Sequence, residues 1–330
     1  MKKTLKIFKF IGLTLGVVII ALFAYIQFSW DKTFDAPLPE IKASTDSTII
    51  ARGKHLVYGP AHCVSCHVPM DKVKEAETGK ELLLSGGWEF PIPPGTLRAP
   101  NLTPDKETGI GNISDSDIAK SLRYSVNSRK GCVFPIMPFQ NVSDEDLTAI
   151  ISFLRSQPPV SNKVEPSELT FLGKALVAFG LIKPVGPVET PPKSVAIDST
   201  EAYGKYLANS IANCNGCHTK RDFVTGAFIG EPFAGGTVFP PDAFSQGYAF
   251  ITPNITFDQE TGIMAKWDED MFISRMRQGQ VHKGSPMPWG LFGKMSDLEL
   301  KAIYRYLKSI PSIENKVDKI VFAPGEALPE

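Results

Sequence analysis

Apolar residues recur at helical spacing through most of the chain, and the first such stretch is the longest. Lys2, Lys3, Lys6 and Lys9 precede an uncharged run of 21 residues, Phe10 to Trp30, rich in Ile, Leu, Val and Phe. That is close to the length that crosses a bilayer and longer than the apolar core of a secretory signal. Ala21 and Ala24 are near misses for a small-residue cleavage site. The lysines hold the N-terminus in the cytoplasm, and Tyr25 and Trp30 suit the far interface. Residues 1–30 therefore read as a single-pass anchor, with the rest of the chain exported. Pro37, Pro39, Ser44 and Ser47 mark residues 31–48 as a tether.

Beyond the tether the pattern predicts three helices and then repeats them. Amphipathic segments occupy Ile50 to Tyr58 and Ala202 to Ser210. Ser114 caps a second helix running to about Val126, and Asp268 caps its counterpart with Phe272, Met276 and Arg277. The third begins at Ser143-Asp144-Glu145-Asp146 or Ser296-Asp297-Leu298-Glu299, both capping-box-like. Leu147, Ile150, Ile151 and Leu154 follow at helical spacing until Pro158; Leu300, Ile303, Tyr304, Leu307 and Pro311 repeat them. Gly- and Pro-rich loops such as Ser85-Gly86-Gly87 and Pro91 to Gly95 separate the helices, and no strand pattern competes, so the expected fold class is all-α.

The register of the repeat is explicit. Gly53-Lys54-His55-Leu56 matches Gly204-Lys205-Tyr206-Leu207 at an offset of 151, and Pro100-Asn101-Leu102-Thr103 matches Pro253-Asn254-Ile255-Thr256 at 153. Glu107-Thr108-Gly109-Ile110 recurs as Glu260-Thr261-Gly262-Ile263, and Met137-Pro138-Phe139 as Met287-Pro288-Trp289. One domain is duplicated: residues 49–159 and 199–317. A proline-rich linker, 160–198, lies between, and 318–330 reads as a loosely held tail. Inside the linker Leu169 to Ile182 is apolar but too short to span a membrane. Packing against the duplicated domains is its favoured reading, ahead of a bilayer-surface helix or a partner-docking element.

Charge adds an exclusion. Lys+Arg and Asp+Glu are balanced at 35 each, which argues against a polyanion and hence against nucleic acid as a partner. Of the five cysteines, four fall into two identical patterns: Cys63-Val64-Ser65-Cys66-His67 and Cys214-Asn215-Gly216-Cys217-His218. A C-x-x-C-H motif is the signature of covalent haem attachment, two thiols for the porphyrin vinyl groups and a histidine for the iron. A shared zinc site would need the two pairs close together, whereas they lie 151 residues apart. Two haem c groups are expected, attached through Cys63, Cys66, Cys214 and Cys217, with His67 and His218 as iron ligands.

The second axial ligand separates an electron carrier from a ligand-binding haem. Met137 and Met287 occupy equivalent repeat positions, each followed by a proline that stiffens the loop. They are the expected sixth ligands, whereas Met70 follows His67 too closely to reach the opposite face, and Met264, Met271, Met276 and Met295 lack counterparts. Cys132 and His282 both stand five residues before their methionine and read as loop surface, with iron ligation as the alternative. His55 and His62 read as helix-surface or haem-edge residues, since Tyr206 and Asn213 replace them in the second repeat.

Together the P-N-[LI]-T and E-T-G-I segments, the helix start at Trp267-Asp268-Glu269-Asp270, the M-P-[FW] loop and the S-D-x-x-L helix resemble a known family. It is that of membrane-anchored diheme c-type cytochromes, close to the cytochrome c subunits of membrane-associated alcohol, aldehyde and sugar dehydrogenases. The resemblance covers nearly everything from Ala51 to Pro311, although those subunits often carry three haem domains where two are read here, and Ile113 stands where the second repeat has Trp267. It implies two class I cytochrome c domains on the periplasmic face of a bacterial inner membrane. They would relay single electrons from a dehydrogenase to a terminal oxidase or soluble cytochrome, with no catalytic residues of their own. A diheme peroxidase and a thiolate-ligated sulfur-oxidising enzyme are the competing readings.

Overall fold

The computed structural model describes residues 2–134, 136–222, 226–242 and 244–329. Helix α1 (Lys2–Ser29) is, among the described residues, the one helix long and apolar enough to cross a membrane. An extended segment leads to α2 (Ser47–Tyr58), started by Asp46, whose carboxylate accepts the Thr48 and Ile49 amides. The first haem motif follows as a 3₁₀ turn, Cys63–Ser65, and a second such turn, Met70–Lys72, runs into α3 (Val73–Glu77). A hairpin of β1 (Glu89–Ile92) and β2 (Gly95–Arg98) comes next. Helices α4 (Asp115–Tyr124) and α5 (Asp144–Ser156) begin at Ser114 and Ser143. Strand β3 (Glu168–Leu169) joins β2, and α6 (Phe171–Ala178) lies inside the segment between the repeats.

The second half follows a similar order, without counterparts of α3 and α6 among the described residues. Helix α7 (Glu201–Tyr206) continues as a π-helical turn, Leu207–Ile211, and α8 (Cys214–Cys217) carries the second motif. Strands β4 (Val238–Phe239) and β5 (Ala249–Ile251) precede α9 (Glu269–Arg277), α10 (Trp289–Phe292) and α11 (Asp297–Ser309). Strand β6 (Val321–Phe322) completes the described elements.

Helices dominate, but the all-α expectation needs correction. Two three-stranded antiparallel sheets are present, β1-β2-β3 and β4-β5-β6. Their strands are two to four residues long, too short for a period-two alternation to register in sequence. The third strand of each sheet lies beyond the expected boundary at 159 or 317. The segment read as a loose tail thus contributes β6, where Phe322 is buried against β5.

In each half the first and last helices cross closely at a glycine. A Cβ on Gly53 would sit 1.9 Å from the Ala149 carbonyl oxygen, and one on Gly204 would sit 1.9 Å from that of Ala302. Leu56, Val57, Leu147 and Ile151 fill the α2–α5 crossing; Leu207, Leu300, Ile303 and Leu307 fill that of α7–α11. These side chains belong to one continuous core that runs through both halves. The halves are therefore joined through apolar packing as well as through the chain.

Candidate haem sites

Each motif is reached through one strained residue. His62 (φ 39°) and Asn213 (φ 55°), the residues before the first cysteines, both take the left-handed conformation that turns the chain out of its helix. Asn tolerates that region better than His does. The motif then closes one tight turn, the His67 amide donating to Cys63 O at 3.0 Å and the His218 amide to Cys214 O at 2.8 Å. Both cysteines of a pair and the following histidine are thereby brought to one place. Burial raises all four thiols, those of Cys63, Cys66 and Cys214 to about 12, so they stay protonated at neutral pH.

The histidines are oriented by backbone. Nδ1 of His67 pairs with the Pro100 carbonyl at 2.9 Å, and Nδ1 of His218 with the Pro253 carbonyl at 3.0 Å. A carbonyl can only accept, so Nδ1 carries the hydrogen and Nε2 keeps its lone pair for a metal. Burial lowers the pKa of both rings despite this bond, which favours the neutral form that ligates.

The two carbonyls are placed by matching networks. Asn101 takes the Thr103 amide and hydroxyl on its Oδ1 at 2.9 and 2.7 Å and donates to Val160 O at 2.8 Å. Asn254 does the same with Thr256, at 3.0 and 2.7 Å, and with Ile313 O at 2.7 Å. Gly86 (φ +71°) and Gly235 (φ +76°) return a hydrogen bond to the carbonyls of His67 and His218. A Cβ on either glycine would fall 2.4 or 2.5 Å from the carbonyl carbon of Pro100 or Pro253.

Met137 and Met287 lie partly buried against the same core as their motifs. Gln140 Nε2 donates to Met137 O at 2.9 Å, and the Trp289 amide to Met287 O at 2.8 Å. Pro135, two residues before Met137, lies outside the described residues. An arginine from the helix before each loop holds the chain after it, at the start of the last helix. Arg123 reaches Val142 O and Asp144, both at 2.7 Å, and Arg277 reaches Met295 O and Asp297, both at 2.6 Å.

This donor set suits an iron porphyrin better than a bare ion. Among the described residues no three His, Cys, Asp or Glu side chains converge where they could hold a metal ion. A porphyrin supplies four donors itself, so one imidazole and one thioether would suffice to complete the coordination. Residues 50–158 match the family model for cytochrome c. The chain carries a cytochrome c domain. Over 290 residues it is 28% identical to the cytochrome c subunit of alcohol dehydrogenase (quinone) from Gluconobacter oxydans, covering 81% of this chain and 56% of that protein. It is 25% identical over 287 residues to the fructose dehydrogenase cytochrome subunit of Gluconobacter japonicus, covering 84% and 55%. A diheme cytochrome c-type protein of Cereibacter sphaeroides is 28% identical over 279 residues, covering 80% of this chain and 86% of its own. The chain thus spans little more than half the length of those two dehydrogenase subunits.

Within and beside the cytochrome c domain some residues depart from their sequence reading. Cys132, expected on a loop surface, is partly buried with Phe134 and Leu169 against Leu176, Val177 and Ile182. That cluster is separate from the core holding Met137. His282 is exposed as expected. His62 meets the Phe292 ring edge-on, centroids 5.5 Å apart. His55 pairs with Glu299 of the last helix, Nε2 to Oε2 at 2.8 Å. Sequence reasoning missed this role between the two halves, and also Arg52, which donates to Asp146 at 2.8 Å and to Glu299 at 3.3 Å. The one signal available was their amphipathic position on a helix read only for its apolar face.

Proposed function

We propose that the chain is a membrane-anchored diheme c-type cytochrome, a tandem pair of class I cytochrome c domains at about 49–159 and 199–317. It relays single electrons at the periplasmic face of a bacterial inner membrane. The observation that carries this reading is the repetition of one arrangement: at both C-x-x-C-H motifs the histidine's Nδ1 is held by a proline carbonyl fixed by an asparagine, at 2.9 and 3.0 Å. The donor on this reading is a dehydrogenase, since the relatives are named as dehydrogenase cytochrome subunits, and the acceptor is a terminal oxidase or soluble cytochrome.

Haem c supplies the one-electron couple in such proteins. Cys63, Cys66, Cys214 and Cys217 would attach two of them, and His67, His218, Met137 and Met287 would ligate the irons. The Pro100 and Pro253 carbonyls keep each imidazole in one tautomer and one orientation, which would present Nε2 to an iron without rearrangement of the ring. The methionine loops, bound at their carbonyls, hold a neutral, soft sulfur that favours the reduced state. Helix α1 would keep both sites near the membrane.

The test is a haem count followed by ligand replacement. The holoprotein should contain two covalent haems per chain in a pyridine haemochromogen assay; one would overturn the diheme reading. Met137→Ala and Met287→Ala should each abolish half of the thioether–iron absorption near the red end of the spectrum and leave covalent attachment intact. A Met137→Ala protein with an unaltered spectrum, together with a spectrum changed by Cys132→Ala, would transfer the ligand role to the thiolate and overturn the relay reading.

A further inference from the structure

Helix α6 has two apolar sides, and the molecule uses only one. Leu176, Val177 and Ile182 turn inward onto Cys132, Phe134 and Leu169. Phe171, Leu172, Phe179 and Leu181 remain 51%, 43%, 53% and 59% exposed. Four large apolar side chains on so short a segment form a patch that water alone would not favour.

The patch is continuous with the outer end of α1. Phe171 stacks on Phe23 with ring centroids 5.5 Å apart, and Phe179 packs on Tyr25 at 5.4 Å. Tyr25 Oη donates to Ala178 O at 3.3 Å, and Lys32 Nζ to the same carbonyl at 2.6 Å. Lys174 stands over the Trp30 ring, 4.7 Å from its centroid. Phe23 lies seven residues before Trp30, about 10 Å deeper along an upright helix. If α1 spans the bilayer with Trp30 at the interface, Phe171 lies at the depth to which interfacial helices bury their apolar face, roughly 5–10 Å. Charge agrees with that level: from residue 169 to 188 the only ionisable side chains are Lys174 and Lys183, both cationic, as anionic headgroups favour.

We propose that α6 and the residues after it, through Leu181, form a second membrane contact. It is an interfacial helix whose outer face lies in the headgroup–acyl boundary beside α1, and its inner face carries the first cytochrome c domain. This rests on reading α1 as an anchor. Its consequence is positional: residues 31–48, expected as a tether, are docked on the first half through buried Ile41 and the Ala43 and Ser44 amides on Asp115 and Ser152, so a second membrane contact fixes the height and face of the first haem site toward a partner in the same membrane.

The experiment uses the intact holoprotein in phosphatidylethanolamine–phosphatidylglycerol vesicles with an apolar photoactivatable carbene reagent dissolved in the bilayer. Adducts mapped by mass spectrometry should fall on α1 and on the peptide from Phe171 to Ile182. The segments bearing exposed Ile229 and Met271 should stay unlabelled. Adducts confined to α1 would leave the anchor standing and overturn the surface helix; a protein-docking face gives this result, because no partner is present. Absence of adducts from α1 as well would overturn both. Equal labelling of the Ile229 and Met271 segments would show reagent uptake by any exposed apolar side chain and would also sink the proposal. Leu181→Glu, on the exposed side, should lose the α6 adducts while the haem spectrum and α1 labelling persist; unchanged α6 labelling in that variant counts against the proposal.

Discussion

The two halves of this chain hold their motifs alike and meet each other with different residues. Asn101 and Asn254, Gly86 and Gly235, and Gly53 and Gly204 make the same bonds or the same close approaches. Where the halves touch, matched positions face one another and differ. Arg52 corresponds to Tyr203, His55 to Tyr206 and Asp146 to Glu299. Asp146 accepts Arg52 at 2.8 Å and Tyr206 at 2.9 Å, while Glu299 accepts His55 at 2.8 Å, with Arg52 at 3.3 Å and Tyr203 at 3.4 Å. An interface built on a two-fold pattern from identical residues would set Arg52 against a second arginine at position 203, where the Tyr203 hydroxyl now accepts it at 3.2 Å. Changing one copy to tyrosines removes that repulsion and leaves each acid with donors from both halves.

The helix caps show the same exchange. In α11 the Glu299 carboxylate bonds back to the Ser296 amide at 2.8 Å and closes a capping box. Asp146, one methylene shorter, is engaged elsewhere, and the Ser143 amide donates instead to the Tyr206 hydroxyl of the other half at 3.1 Å. One half caps its last helix with its own residue; the other relies on its neighbour for the last bond.

Breaking the junction is expected to have the largest effect. Arg52→Met leaves two nearly buried carboxylates short of a cation and should cost about 3–5 kcal/mol, read from urea unfolding of the holoprotein. An effect below about 1 kcal/mol would mean that apolar packing alone joins the halves. The same network gives a pH dependence. Burial opposes ionisation of Glu299, but His55, the Ser296 amide and Arg52 outweigh it and hold its pKa at about 2. Its unfolded value is near 4.5, so the stabilisation is complete above that pH and disappears as pH falls toward 2. Glu299→Gln should flatten the acid limb of stability over that window.

Next in size is the pair of helix crossings. Gly53→Ala and Gly204→Ala each drive a Cβ to 1.9 Å from a backbone oxygen, where no flexible side chain can yield. Each should cost about 3 kcal/mol, and the two losses should be alike. A clear inequality would mean that one crossing relaxes, and that the halves are less equivalent than their sequences.

Much of this frame was legible before any coordinates, because its signals are local. The capping serines at 114, 143 and 296, the helical stripes and the C-x-x-C-H motifs each announce themselves within a few residues. The carbonyls that orient His67 and His218 lie 33 and 35 residues away. The repeated P-N-[LI]-T segment flagged their neighbourhood without giving their role. The network between the halves was illegible for a further reason: Arg52 and Glu299 are 247 residues apart, and a lone charge on an amphipathic helix reads as solvated until its partner is found. The strands were missed through brevity, and Cys132 because the segment that covers it follows by about forty residues.

A smaller, unequal effect is expected from the arginines that fasten the methionine loops. Arg123 and Asp144 have side chains 7% and 40% exposed, whereas Arg277 and Asp297 are 37% and 66% exposed. Arg123→Met should cost about 2–3 kcal/mol, and Arg277→Met under about 1 kcal/mol. On the proposed ligation, the first haem's thioether absorption should also weaken first on heating in the Arg123 variant. The reverse order would assign loop positioning to the packing of Met137 and Met287 themselves.

The smallest effect distinguishes the turns that lead into the haem motifs. His62 and Asn213 both stand at positive φ, 39° and 55°, where a Cβ crowds the following carbonyl. Asparagine is among the side chains that tolerate this region, so Asn213→Ala should cost about 1 kcal/mol and Asn213→Gly close to nothing. His62 presents the same backbone with a less tolerant side chain, and it compensates with the Pro60 carbonyl at 3.0 Å and the edge of Phe292. His62→Gly therefore relieves strain but surrenders both contacts, and its net effect should lie within about 1 kcal/mol of zero. In a Phe292→Ala background the ring contact is already absent, and the same substitution should become measurably more favourable. If it does not, His62 is held by its own turn rather than by the second half, and each motif is approached independently of the other.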